Sequence, residues 1–184
     1  GYEVETTLIS LEEDFNPEEF DIVMFGGGQD YEQTVVAKDL QNKKDTLIEY
    51  IEDDGVVVAI CGGFQLLGRY YVNASGERLN GISAIDVCTN GQFPNRLIGD
   101  VEIFNEEFGE TYLGYENHIG RTYLGKNMKP LGKVVKGYGN NEEDHAEGCH
   151  YKNVFCSYFH GPILVRNQHL ADRIIQTAAQ RRLT

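Results

Sequence analysis

The chain has 184 residues, 41% of them hydrophobic, enough for one sizeable core and too few for two ordinary domains. Its formal net charge of −13 argues against a nucleic-acid partner, which needs a clustered basic face, and no apolar run approaches the ~20 residues of a membrane span. The four cysteines, at 61, 88, 149 and 156, form no Cys-x-x-Cys pair; with no secretory signal in view they read as reduced thiols of a cytoplasmic protein.

In chain order, Tyr2 to Ser10 is expected as a strand with a threonine and leucine edge. The acidic runs around Pro17, and a second one at Glu142-Glu143-Asp144, read as solvated surface. Asp21 to Phe25 is an apolar strand that ends in Gly26-Gly27-Gly28-Gln29-Asp30. Val36, Leu40, Leu47, Ile48 and Ile51 recur at helical spacing, so a helix leads on to the next strand, Val56 to Ile60. That strand is apolar without alternation, as a strand covered on both faces must be, and a strand, helix, strand order makes the pair parallel. Cys61-Gly62-Gly63 follows, and Phe64 to Tyr71 resumes a helix-compatible pattern. Ile82 to Val87, Leu97 to Phe104 and Lys133 to Tyr138 are short glycine-separated strands of a β-rich middle segment. Val154 to Phe159 is a further strand, ending in His160-Gly161-Pro162. Leu170, Ile174 and Ala178 mark a closing helix, with Arg181 and Arg182 at its carboxyl end.

The chemistry gathers at three strand ends. Cys61 passes from a buried strand into a glycine turn and a new helix, whose amides point partial positive charge at the sulfur and favour thiolate. Taken alone it would be a small core hydrophobe, as most free cysteines are. The Gly26 to Gly28 loop, however, offers amides without side chains as an oxyanion wall, and His160 at another strand end is a base candidate. In an open parallel sheet reactive groups lie outside the carboxyl ends of strands, where all three of these fall.

These segments, with Gly114-Tyr115-Glu116-Asn117-His118, Gly120-Arg121-Thr122 and Lys136 to Asn141, resemble the class I glutamine amidotransferases. Within that class the chain is most similar to the cobyric acid synthase type, CobB/CobQ-like domains, and most of all to the GatD-type glutaminase subunits of lipid II isoglutaminyl synthase. The resemblance implies a single glutaminase domain over residues 1–184, with an α/β, three-layer, flavodoxin-like, mostly parallel sheet and helices on both faces. It implies Cys61 as nucleophile, His160 as acid and base, and Gly27, Gly28 and Gly62 as oxyanion donors. Arg96 is the expected cation for the glutamine α-carboxylate, with Arg121 as rival, and Gln65 either contacts substrate or steadies the elbow. Asn117 and His118 are expected to shape the pocket. Ammonia from L-glutamine would pass to a Mur-ligase-like, MurT-type partner, where ATP and magnesium serve to amidate the D-glutamate α-carboxylate of the lipid II stem peptide; no metal and no cofactor are expected on this chain.

Two features depart from the family pattern. Many members carry a glutamate two residues after the histidine, where this chain has Pro162, so either His160 works in a dyad with Cys61 or a carboxylate from Asp30, Glu116 or the partner orients it, the partner being preferred. The family also begins with a strand and helix that precede Tyr2, so this sequence is expected to lack them. Gly120 to Asn127 falls one residue short of a phosphate loop, because Asn127 replaces the magnesium-binding hydroxyl, and His145, Cys149 and His150 match no zinc spacing. The alternatives are a corrinoid-directed amidotransferase, a cysteine hydrolase without glutamine preference, and a binding module with a regulatory thiol.

Overall fold

A computed structural model describes residues 1–184. The elements in order are β1 (Ile22–Phe25), α1 (Asp30–Glu52), β2 (Val56–Ile60), α2 (Gly62–Leu67), β3 (Tyr70–Val72), β4 (Arg78–Asn80), β5 (Val87–Asn90), β6 (Leu97–Asn105), β7 (Glu110–His118), β8 (Arg121–Leu124), β9 (Gly132–Lys136), β10 (Ala146–Glu147), β11 (Cys149–Tyr151), β12 (Val154–Ser157), β13 (Phe159–His160), α3 (Ile163–Arg166) and α4 (Gln168–Leu183). The fold is α/β, as the alternating pattern predicts, but its strands divide among three sheets.

The central sheet has the order β1-β2-β12-β11; β1, β2 and β12 run parallel and β11 closes the edge antiparallel. Strand β2 sits in the middle and is buried along nearly its whole length. Its alternate side chains serve two cores. Val57 and Ala59 pack with Leu40, Leu47, Tyr50 and Ile51 of α1, while Val56 and Val58 pack with Leu170, Ile174 and Ala178 of α4. Each of those leucines and isoleucines, taken fully from water, contributes about 2 kcal/mol. Helices thus cover both faces, and the unbroken apolar run is explained. Arg181 of α4 lies over the Tyr50 ring and pairs with Glu18 and Asp53, tying part of the first acidic run to the last helix.

The middle segment forms the other two sheets. One is an antiparallel five-stranded sheet, β10-β9-β6-β7-β13; the other is a four-stranded sheet, β4-β3-β5-β8. Four expectations are corrected here. Tyr2 to Ser10 forms no strand: every residue is exposed and the only backbone partner in the stretch is Glu13, in a turn with Ser10, so β propensity finds no ladder to join. The helix after Cys61 ends at Leu67 rather than running to Tyr71, because its last carbonyls are taken by residues 82–85: Ile82 N donates to Leu66 O, Ser83 N to Gly68 O and Ala84 N to Leu67 O. For the same reason Ile82 to Ile85 is a cap and not a strand, and pairing begins at Val87. Finally, Val154 to His160 is two strands in different sheets, with the chain crossing between them at Tyr158.

Candidate active site

Cys61 occupies a backbone conformation that side chains other than glycine rarely adopt, φ 52° and ψ −107°. Such a residue costs on the order of 1–3 kcal/mol and must be held from outside. Its amide donates to Ser157 O of the neighbouring strand at 2.9 Å, and its carbonyl accepts from Gln65 N at 3.1 Å. Two residues on, Gly63 N donates to Gly26 O at 3.1 Å, pinning the elbow to the glycine loop. The approach is close enough to demand glycine: a Cβ at Gly63 would lie 2.6 Å from Phe25 Cβ, and one at Gly27 would lie 3.1 Å from Cys61 Cβ. The amides of Gly27 and Gly28 donate to no acceptor in the chain and both residues are exposed; a Cβ at Gly27 would lie 3.7 Å from Cys61 Sγ, and one at Gly62 would lie 3.2 Å from Gly28 N.

The sheet order places the other flank. Ile60 is paired with Ser157, so β12 leaves the central sheet beside Cys61, and His160 follows three residues later. Crossing between sheets takes the Tyr158 amide out of any ladder. It donates instead to the Glu147 carboxyl at 2.6 Å, and the Phe159 amide donates to Ser157 Oγ at 3.0 Å. Beyond the crossing, His160 pairs with Tyr115 on β7. Its Nε2 is buried and has no hydrogen-bond partner, and it shares no hydrogen bond with Cys61. Burial foremost, and then the neighbouring His118 and Arg96, lowers the His160 pKa from the ordinary 6.5, so the ring is neutral at pH 7. The thiolate expectation is corrected: burial pushes the Cys61 thiol up, and the Gly62 amide and the Arg96 charge only partly offset it. A helix of six residues does not overcome desolvation, so the resting pair is a neutral thiol and a neutral imidazole.

Arg96 bears electrostatically on both Cys61 and His160 from the rim of the site. It is exposed; Nε donates to Asn117 Oδ1 at 2.9 Å and Nη2 to Asn117 O at 3.3 Å, leaving Nη1 without a partner for a carboxylate. Arg121 is not a rival: it is buried, donates to Asn95 O and Ile119 O, and pairs with Glu142. Gln65 is turned inward. It accepts from Gln33 Nε2 at 2.6 Å, donates to Tyr158 Oη at 3.0 Å and is buried, so its side chain steadies the elbow. Of the carboxylates weighed for His160, Asp30 accepts from Tyr71 Oη, and Glu116 accepts from the Tyr138 and Gly139 amides and meets His118. Neither reaches His160. Residues 121–124, the middle of the near phosphate loop, form β8. No group of three or more His, Cys, Asp or Glu is arranged to hold a metal, and His150 stacks on Phe155 instead. All four cysteines are free thiols, and no helix is long and apolar enough to cross a membrane.

Three contributors were not legible in the sequence as parts of the site: Tyr158, Glu147 and Gln33. Tyr158 is fully buried behind the elbow, its hydroxyl meeting Gln65 Nε2 at 3.0 Å and Thr122 Oγ1 at 2.6 Å. An apolar strand ending in a histidine gives no cue that the residue two before it switches sheets.

The geometry accords with what the chain is similar to. Residues 2–168 match the model of the CobB/CobQ-like glutamine amidotransferase domain. The chain belongs to that family. It is 56% identical, over 99% of its length, to the GatD subunit of the glutamine-hydrolysing lipid II isoglutaminyl synthase of Streptococcus pneumoniae. It is 44% identical, over 90% of its length, to the subunit of the same name from Staphylococcus aureus. It spans 70% and 66% of those two relatives. A probable cobyric acid synthase of Methanothermobacter thermautotrophicus is 36% identical over 57% of the chain, which covers 23% of that protein. Among solved structures, a glutamine amidotransferase superposes with a TM-score of 0.63 at 18% identity, over 88% of this chain and 81% of the other; PurLQS from Thermotoga maritima gives 0.58 at 16%, over 94% and 84%. These two likenesses concern the fold. Family membership makes this chain an enzyme of the amidotransferase class, with glutamine hydrolysis as its chemistry.

Proposed function

We propose that this chain is the glutaminase subunit of a lipid II isoglutaminyl synthase, hydrolysing L-glutamine in the cytoplasm and delivering ammonia to a Mur-ligase-like, MurT-type partner. Cys61 Sγ attacks the carboxamide carbon of glutamine as His160 Nε2 takes the thiol proton. The amides of Gly27, Gly28 and Gly62 receive the oxyanion, and Arg96 holds the α-carboxylate. His160 returns the proton to the departing ammonia, then draws one from water as it attacks the thioester; glutamate leaves and the thiol is restored. The partner, carrying ATP and magnesium, would amidate the D-glutamate α-carboxylate of the lipid II stem peptide. A carboxylate from that partner would orient His160, since Pro162 stands in the usual place of the acid and both nearby acids are engaged elsewhere.

The observation that carries this reading is Cys61 on a strained elbow between free loop amides and a buried, unpartnered His160 nitrogen, in a chain so similar to the pneumococcal GatD. Ammonia release from L-glutamine, measured for the chain alone and with a co-expressed Mur-ligase-like subunit, tests it. Cys61→Ala is expected to lose at least about a thousandfold in kcat. Stimulation by the partner is the expected sign of the borrowed carboxylate, and equal rates with and without it would remove that part of the proposal. Release that survives Cys61→Ala would overturn the whole.

A further inference from the structure

Behind Tyr158 lies a buried ion cluster that the reaction above does not use. Glu116 and His118 stand two apart on β7 and are 0% and 2% exposed. The His118 ring lies flat on the Tyr158 ring, centroids 3.7 Å apart at 10°. Both of its nitrogens face acceptors: Nδ1 is 2.8 Å from Gly120 O and Nε2 is 3.2 Å from Glu116 Oε2. A carbonyl can only accept, so Nδ1 carries a hydrogen. Glu116 already accepts the Tyr138 and Gly139 amides at 2.7 and 3.1 Å, the pattern of an ionised carboxylate, so Nε2 carries one as well. An imidazolium against a carboxylate satisfies every one of these contacts.

We propose that His118, clamped by Glu116 and Gly120 O as a buried cation, is the positioning residue that holds Tyr158 behind the nucleophile elbow and opposes a second positive charge on His160. The proposal rests on the glutaminase reading above and names the device that keeps its base ready. The Tyr158 hydroxyl reaches Gln65 of the elbow helix, and His160 lies two residues further along the same chain, on the strand paired with β7. The charged groups that bear on His160 are His118 and Arg96, both cations, with Tyr115 opposite it on β7 and no acid among them. Around His118 the titratable groups are Glu116 on its own strand, Tyr158 against its face, His160 on β13, and Glu147 of β10, which lies near enough to feel Glu116 and holds the Tyr158 amide. In a site whose own chain offers His160 no carboxylate, a fixed cation keeps the imidazole in the form that can accept the Cys61 proton.

Ring-nitrogen NMR of the full chain, ¹⁵N-labelled at histidine, reads the charge directly at about pH 7.5, with His118→Gln for assignment. Two protonated nitrogens on His118 are expected; a single neutral tautomer overturns the proposal. The pH profile of kcat/KM for glutamine supplies the second reading. In His118→Gln, which keeps hydrogen-bonding capacity but loses the charge and the ring stacked on Tyr158, kcat/KM is expected to fall at every pH and the acid limb to move up toward 6.5, so that the loss near pH 6 exceeds the loss near pH 8.5 by about two- to fourfold. An unmoved limb in a folded variant, or a uniform loss at all pH values, overturns it. If His118→Gln does not fold, the wild-type ring signals alone decide. Absence of any glutamine hydrolysis by the wild type would instead refute the glutaminase reading, while the NMR result still stands or falls on its own.

Discussion

Replacing Glu147 by glutamine is expected to stabilise the protein at neutral pH, although it removes the charge from a carboxyl with three hydrogen bonds. Glu147 is 0% exposed, accepts the Tyr158 amide at 2.6 Å and meets Ser157 Oγ at 3.1 and 3.2 Å. Burial pushes its pKa up to about 8 from the ordinary 4.5; the Tyr158 amide and the Ser157 hydroxyl pull it back in part, and Glu116 raises it further. Below pH 4.5 both folded and unfolded chains hold the proton, and the group takes nothing from stability. Above that, the unfolded chain ionises while the folded chain does not, so stability is lost as pH rises until the folded value of about 8 is reached. At about 1.4 kcal/mol per pH unit, the loss by pH 7 is about 3 kcal/mol. Glutamine has the same shape, its carbonyl oxygen can still accept from Tyr158 N, and its amide never ionises. Urea unfolding followed by circular dichroism, with wild type and Glu147→Gln side by side at about pH 4.5 and pH 7, measures the gap at each. The stability difference is expected to shift in favour of the glutamine variant by about 3 kcal/mol between the two conditions. A difference that does not change with pH would refute the reasoning, because it would mean that Glu147 ionises in the folded chain as easily as in the unfolded one.

Arg96→Ala is expected to raise the KM for glutamine by roughly 10- to 100-fold with a smaller change in kcat, since a charge-assisted contact to the α-carboxylate contributes about 1.5–3 kcal/mol; steady-state kinetics would show the split. Gly63→Ala places its Cβ 2.6 Å from Phe25 Cβ and 2.9 Å from Phe25 O, so a loss of about 1–3 kcal/mol and a loosened elbow should appear in thermal melts and in slower labelling of Cys61 by a glutamine-analogue electrophile. The glutaminase activity should rise with pH to a plateau whose midpoint lies below 6.5, because His160 must be neutral to act and its pKa is lowered; a midpoint above 6.5 would contradict the environment described for it.

Much of this molecule was written locally. An unbroken apolar run from Val56 to Ile60 can only be a strand covered on both sides, so the elbow, the Gly26 to Gly28 loop and the His160 strand end were legible from residue order, although the turn is made by Cys61 itself and the glycine pair expected to form it already belongs to α2. The closing helix with Arg181 and Arg182 in its last turn followed from spacing in the same way. What the sequence could not convey depended on atoms brought together from far apart. Tyr2 to Ser10 has strand composition but no edge to pair with, and residues 82–85 have strand composition but serve the carbonyls of α2. The Cys61 thiol is raised because desolvation, a property of the packed surroundings, outweighs the short helix behind it. Gln65 turned inward because Gln33 and Tyr158, 32 and 93 residues away along the chain, both reach it. The crossing of the chain between two sheets at Tyr158 is fixed by the Glu147 carboxyl, 11 residues earlier, and it is this crossing that carries His160 from beside Cys61 onto β7. Periodicity and turn chemistry act within a few residues and can be read in order; hydrogen-bond partners and burial are set by the closed tertiary structure, and so are the charges they impose.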